Sequence, residues 1–201
     1  MRLEIDRDRL WATLMCSAEI GPGESTGLRR LALTDEDKAM RDVFAGWVRE
    51  SGLGLRVDRA GNMFARLDGR EDGPPVLVGS HLDTQITGGR FGGIVGVLAG
   101  LETLRSLKDA GITPKRPIEV VNWTNEEGAR FSPPMMASAV FAGLQTQAWL
   151  DGRTAADGAT YGAELDRIGY RGAAAIGFPV DSYVELHIEQ GPILDRLGLE
   201  L

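Results

Sequence analysis

Cysteine is almost absent from this sequence of 201 residues: Cys16 stands alone, so no disulfide can form within the chain. Its simplest setting is a reducing cytoplasm, and a lone cysteine reads as a small buried hydrophobe rather than a reactive thiol. Histidine is nearly as scarce. His81 and His187 are the only two, so any histidine-based site draws at most two imidazoles from these residues. Positive charge is in deficit, with 22 Lys and Arg against 29 Asp and Glu, a net charge of -7. That balance argues against a nucleic-acid binder, which normally presents a basic face. No apolar run approaches the roughly 20 residues that span a bilayer. The opening MRLEIDRDRL carries acids where a secretory signal needs an apolar stretch. These absences describe a soluble, acidic, cytoplasmic chain without nucleic-acid or membrane partners.

What is present is ordinary for a globular protein. The sequence is 43% hydrophobic and 25% charged, and the length suits a single domain with a sizeable core. No internal repeat or heptad run occurs, and helical and extended patterns alternate, which favours an α/β layer architecture. Thr34 and Asp37 have the spacing of a capping box. Met40, Val43, Phe44, Trp47 and Val48 then share one helical face, with Gly52 as the stop. Leu55 and Val57, then Met63, Phe64 and Ala65, flank an Ala-Gly-Asn turn and predict a hairpin. Val76–Val78 predicts a buried strand, 94–108 a long helix, 118–123 a second strand and 183–188 a third. The stretch 144–180 is rich in Gly and Ala, with one helix expected near 163–168.

The polar chemistry gathers after the three strands, in GSHLDT (79–84), WTNEEGARF (123–131) and ELHIEQGP (185–192). In open α/β sheets, ligands collect outside the carboxyl ends of strands. His81 and Asp83 are two apart and can face one side, with Asp83 placed to accept a ring N–H of a metal-ligating His81. Taken alone, the pattern is equally an incidental surface turn. Glu126 and Glu127 point to opposite faces unless the chain turns, which Gly128 permits. Such a pair can divide into a metal ligand and a general base, or be a solvated acidic turn. His187 and Glu189 repeat the two-residue spacing among Val184, Leu186 and Ile188. GGRFGG (88–93) opens the long helix and is compatible with an anion site on helix N–H groups. It matches neither a Walker loop nor G-x-G-x-x-G. No G-x-S-x-G elbow exists, so serine-hydrolase chemistry is not expected.

Three segments, GSHLDTQITGGRF, VVNWTNEEGARFSPPMMASAVFAG and ELHIEQGPIL, resemble a known family, and RLALTDEDKAMRDVFAGWVRESGL resembles its opening. That family is the zinc-dependent amidohydrolases comprising N-carbamoyl-L-amino-acid hydrolases, allantoate amidohydrolases and β-ureidopropionases. The resemblance implies a three-layer, zinc-peptidase-like α/β catalytic domain with a mixed sheet. It also implies hydrolysis of the C–N bond of N-carbamoyl amino acids, allantoate or related ureido acids. Two divalent ions, zinc, manganese or similar, are implied as cofactors. His81 and His187 would ligate one ion and Glu127 the second; Glu126 would be the general base. Asp83 would orient His81, and Gln190 would contact the polar end of the substrate. Family members are homodimers.

Two departures from the family pattern set further expectations. The position of the family's metal-bridging Asp is Gly92 here, so partial or weak metal occupancy is expected. Family members also continue past this length into a lid and dimerisation domain and a returning catalytic segment, so 1–201 is expected to be the N-terminal portion of the catalytic domain. On both grounds the chain alone is expected to be nearly inactive. The alternatives are a truncated, catalytically inactive remnant with a partial metal site, or a fragment completed by a separate partner. Uncovered apolar surface and association are expected to follow.

Overall fold

The computed structural model describes residues 3–200. Met1, Arg2 and Leu201 lie outside the described residues, and with them the first two positions of the acidic opening stretch. The element order is α1 (Arg7–Ser17), α2 (Asp35–Glu50), β1 (Gly54–Val57), β2 (Met63–Leu67), β3 (Val76–Ser80), α3 (Ile94–Asp109) and β4 (Ile118–Asn122). It continues with α4 (Met136–Phe141), α5 (Gln147–Asp151), α6 (Tyr161–Arg167), β5 (Ser182–Val184) and α7 (Ile193–Leu197).

The strands form one five-stranded sheet in the order β1-β2-β4-β3-β5. β1 and β2 are an antiparallel hairpin, β2 pairs antiparallel with β4, and β3 runs parallel to both β4 and β5. The sheet is therefore mixed, as the α/β reading requires. Alternation along the strands separates its two faces. Met63, Ala65 and Val120 join Val97, Leu98, Leu101 and Leu104 of α3 and Met40, Phe44 and Val48 of α2 in one core. The intervening Phe64, Leu77, Val121 and Trp123 pack on the other face with Phe141, Phe178 and Val180. A third cluster, with Phe131, Leu150, Tyr161 and Leu165, holds α4–α6 together.

Local chemistry explains the elements that position the site. Thr34 caps α2, its hydroxyl accepting from the Asp37 amide at 3.3 Å. Asp37 reaches back to the Leu33 amide at 2.8 Å and also accepts from Arg41 Nε at 2.9 Å. The expected capping box is present, with its return bond one residue earlier than usual. α3 sits close on the sheet because Gly100 has no side chain: a Cβ there would stand 3.1 Å from a Val120 methyl and 3.2 Å from a Val78 methyl.

Two expectations are corrected, and one element was not anticipated. α1 has no clear apolar period, yet it forms; it is capped by Asp6 and tied to α3 through Arg9, whose guanidinium meets buried Glu102 at 2.7 Å. Cys16 is exposed, because α1 turns Thr13, Leu14 and Ser17 inward instead. The last strand is three residues long and does not reach Ile188. As an edge strand it has one partner, and its pairing with β3 ends at Val78–Val184. Val184 and Leu186 accordingly are exposed rather than facing a core.

Candidate metal centre at the strand ends

The three polar segments converge beyond the carboxyl ends of the parallel strands β3, β4 and β5. His81 follows β3 and is 1% exposed. Its Nδ1 lies 2.8 Å from the backbone carbonyl of Asp83, and Nδ1 of His187 lies 2.7 Å from the carbonyl of Ile188. A carbonyl only accepts, so these partners assign the hydrogen of each neutral ring to Nδ1 and leave each Nε2 with a lone pair. The two Nε2 atoms face each other across 3.5 Å. Glu126 Oε2 stands 3.3 Å from His81 Nε2.

Asp83 divides its work. Its carbonyl, not its carboxylate, accepts from His81; the carboxylate stands 3.7 Å from the same Nδ1. The two carboxylate oxygens accept instead from the backbone amides of Glu126 and Glu127, each at 3.2 Å. This bond pair pins the acidic turn, where Asn125 and Gly128 have left-handed backbone (φ 55° and 68°). From this turn Glu126 reaches His81 while Glu127 reaches Gln85. Burial pushes the Asp83 carboxyl up to about 7, reinforced by the negative charge of Asp37 and opposed by the two amides. Burial likewise raises the Glu126 carboxyl above its ordinary value, the neighbouring His81 pulling it down and Asp83 and Glu127 adding to the rise.

Glu127 is met by Gln85, whose amide donates to Oε2 at 2.5 Å. Gly92, Glu127 and Gln190 line one small cleft beside Asp83. A Cβ at Gly92 would meet only Gln190 Nε2, at an ordinary contact distance of 3.7 Å. A Cβ at the adjacent Gly93 would fall 2.0 Å from the His81 ring.

Several contributors carried no signal in the sequence. Arg30, fully buried, donates from Nε to the Leu82 carbonyl at 2.8 Å, and its amide donates to Thr84 Oγ1 at 2.8 Å, so it grips the His81–Asp83 loop from behind. Glu185 accepts from the Ser80 hydroxyl and from Tyr183 Oη, the latter at 2.7 Å; this occupies Ser80 and fixes the segment leading to His187. Both lie within segments whose motif residues drew attention elsewhere.

The donor set suits a metal ion in part. In tetrahedral zinc sites with Zn–N bonds of about 2.0–2.1 Å, two nitrogens are about 3.4 Å apart, which the facing Nε2 atoms match closely. The second expected position does not fit in the same way: Glu127 has an amide for a neighbour, and residue 92 offers no carboxylate. Among the described residues, no group of three or more His, Cys, Asp or Glu converges as a metal site.

The mixed sheet and the polar residues at its parallel strand ends accord with one protein family. Residues 77–200 match the model of peptidase family M20/M25/M40, and the chain belongs to that family. Within it the similarity runs to the amidohydrolases named from the motifs. The chain is 50% identical over 193 residues to an N-carbamoyl-L-amino-acid amidohydrolase of Rhizobium meliloti, covering 95% of this chain and 46% of that protein. It is 34% identical to a ureidoglycolate hydrolase of Oryza sativa subsp. japonica, over 98% of this chain and 43% of that one. A hydantoinase/carbamoylase family amidase from Burkholderia ambifaria superposes with a TM-score of 0.94 at 55% identity, over 98% of this chain and 49% of its own. The chain thus spans about half the length of these relatives. Among the described residues, no helix is long and apolar enough to cross a membrane.

Proposed function

We propose that this chain is the portion of a metal-dependent amidohydrolase that carries the general base and the first metal ligands. Its substrates are N-carbamoyl amino acids, allantoate or related ureido acids. The observation that carries the reading is the cluster of His81 Nε2, His187 Nε2 and Glu126 Oε2 within 3.5 Å of His81 at the ends of parallel strands. His81 and His187 would hold a divalent ion, with Glu127 beside them; when bound, that ion would polarise the carbonyl of the scissile group.

Glu126 takes the proton of the attacking water and returns it to the leaving nitrogen, a task favoured by a carboxyl raised above its usual range. Asp83 holds Glu126 and Glu127 in register through their amides. Gln190, across the cleft from Gly92, would bind the polar end of the substrate. Hydrolysis of a carbamoyl C–N bond consumes one water and yields the free amine, carbon dioxide and ammonia. The relatives named for this reaction, at 50% identity, support the substrate class.

A second reading has its own observation. Gly92 lacks a side chain where the family has a bridging carboxylate, which favours a catalytically inactive remnant with a partial metal site. Ammonia release from N-carbamoyl amino acids and from allantoate, with Zn2+ or Mn2+ supplied, separates the two. Residues 1–201 are expected to turn over slowly, with Glu126→Gln abolishing what activity there is and Gly92→Asp raising it. Equal rates for wild type and E126Q would sink the hydrolase reading, and rapid turnover by wild type would sink the remnant.

A further inference from the structure

We infer that residues 1–201 bind one divalent cation, on the Nε2 atoms of His81 and His187, and not the two that the motifs imply. This rests on the metal-hydrolase reading above and departs from it in number. The first position is preformed. Both rings are fixed by Nδ1–H donors to carbonyls, at 2.8 Å and 2.7 Å, so neither can turn a hydrogen toward the other. Two lone pairs facing each other at 3.5 Å, with Glu126 Oε2 3.3 Å from one of them, form a set of acceptors that one cation satisfies together. His81 is 1% exposed, so its Nε2 has little recourse to bulk water, and the groups nearest it, His187 Nε2 and Glu126 Oε2, are acceptors that a cation would reconcile.

The second position lacks what a divalent ion needs. Two carboxylates border it, and both are engaged: Asp83 accepts from the Glu126 and Glu127 amides, and Gln85 donates to Glu127 at 2.5 Å. The other side chain bordering Gly92 is the amide of Gln190. A cation there would exchange most of its hydration shell for carboxylates that are already engaged, a poor return for a strongly hydrated ion. The deficit is one side chain wide. Gly92 and Glu127 line the same cleft, and a Cβ at Gly92 would meet its nearest neighbour at an unstrained 3.7 Å. A Cβ at 92 is therefore unobstructed, and a carboxylate on it would start from the wall that Glu127 also lines. The next glycine offers no such freedom, since a Cβ on Gly93 would overlap the His81 ring.

The test is a Co2+ titration of the metal-free chain, with bound metal counted by elemental analysis after equilibrium dialysis and the visible spectrum followed in parallel. One Co2+ per chain is expected. His187→Ala, at a partly exposed position where the fold tolerates truncation, should weaken binding at least about 10-fold, the lower bound set by effects of mere outer-sphere partners. Gly92→Asp should bind two. Circular dichroism establishes that each variant is folded. Two ions in the wild type, none in the wild type, or one ion indifferent to H187A would overturn the inference. A single ion bound without any hydrolysis leaves the count standing while the hydrolase reading fails; hydrolysis with two ions bound does the reverse.

Discussion

At the scale of single residues, neighbouring positions of the same type have opposite meanings. Gly92 and Gly93 are indistinguishable in the sequence, yet a Cβ on one would make an ordinary contact with Gln190 and on the other would overlap the His81 imidazole. Asp58 and Asp83 both look like ordinary acids of loops, and both are buried caps. Asp58 closes the β1–β2 hairpin by accepting from the Ala60 and Asn62 amides and from Asn62 Nδ2, each at 2.9 Å. Burial nonetheless pushes its carboxyl from 3.8 up to about 6. Between those values the folded chain keeps a proton that the unfolded chain has lost. The contribution of Asp58 to stability is thus complete below about pH 4 and lost as the pH rises through about 6. Thermal melts of wild type and Asp58→Asn across pH 4–7 are expected to show this fall in wild type and a flatter profile in the variant. Parallel profiles would contradict the assignment.

At the scale of elements, the best-defined unit is α2. Its start was legible because Thr34 and Asp37 leave a spacing signature, and its apolar face followed a 3.6-residue period. What the spacing concealed is that Asp37 also neutralises Arg41, both being almost fully buried. Arg41 goes on to donate to the Gly61 carbonyl at 2.9 Å, joining the helix to the hairpin turn. Two substitutions at one helix end should therefore differ sharply. Thr34→Ala removes a cap and should cost about 1 kcal/mol. Asp37→Ala strands a buried guanidinium and should cost about 3–5 kcal/mol. Urea unfolding of both variants measures the gap; similar losses would mean that the ion pair contributes no more than the cap. α1 was illegible for the complementary reason: its hold on the fold comes from Arg9 and Glu102, 93 positions apart, and not from a local period.

At the scale of the whole molecule, burial is uneven. The face of the sheet under α2 and α3 is closed, whereas the segment from β5 onward leaves Val184, Leu186, Ile193, Leu197 and Leu199 exposed. β5 also has one unpaired edge. An exposed apolar edge strand is a template for pairing with another chain. Residues 1–201 are accordingly expected to self-associate as concentration rises. Val184→Lys should shift the sedimentation velocity distribution toward monomer without changing the melting temperature by more than a few degrees. A monomeric wild type at high concentration would show that this surface is inert.

The sequence by itself determined the class of fold, the placing of the strands and of α2, α3 and α6, and the three polar segments that meet. These are local facts, carried by periodicity, capping spacing and short motifs. It also determined the family resemblance, which the match over residues 77–200 bears out. Tertiary structure alone decided which atoms face one another. Only packing set the Asp83 carboxylate on the amides of residues 126 and 127, and turned both Nε2 atoms inward. Only packing distinguished the room for a Cβ at Gly92 from the overlap at Gly93. Hydrogen-bond partners dozens of residues apart leave no periodic trace along the chain, because they are fixed by how the elements stack and not by what precedes or follows them.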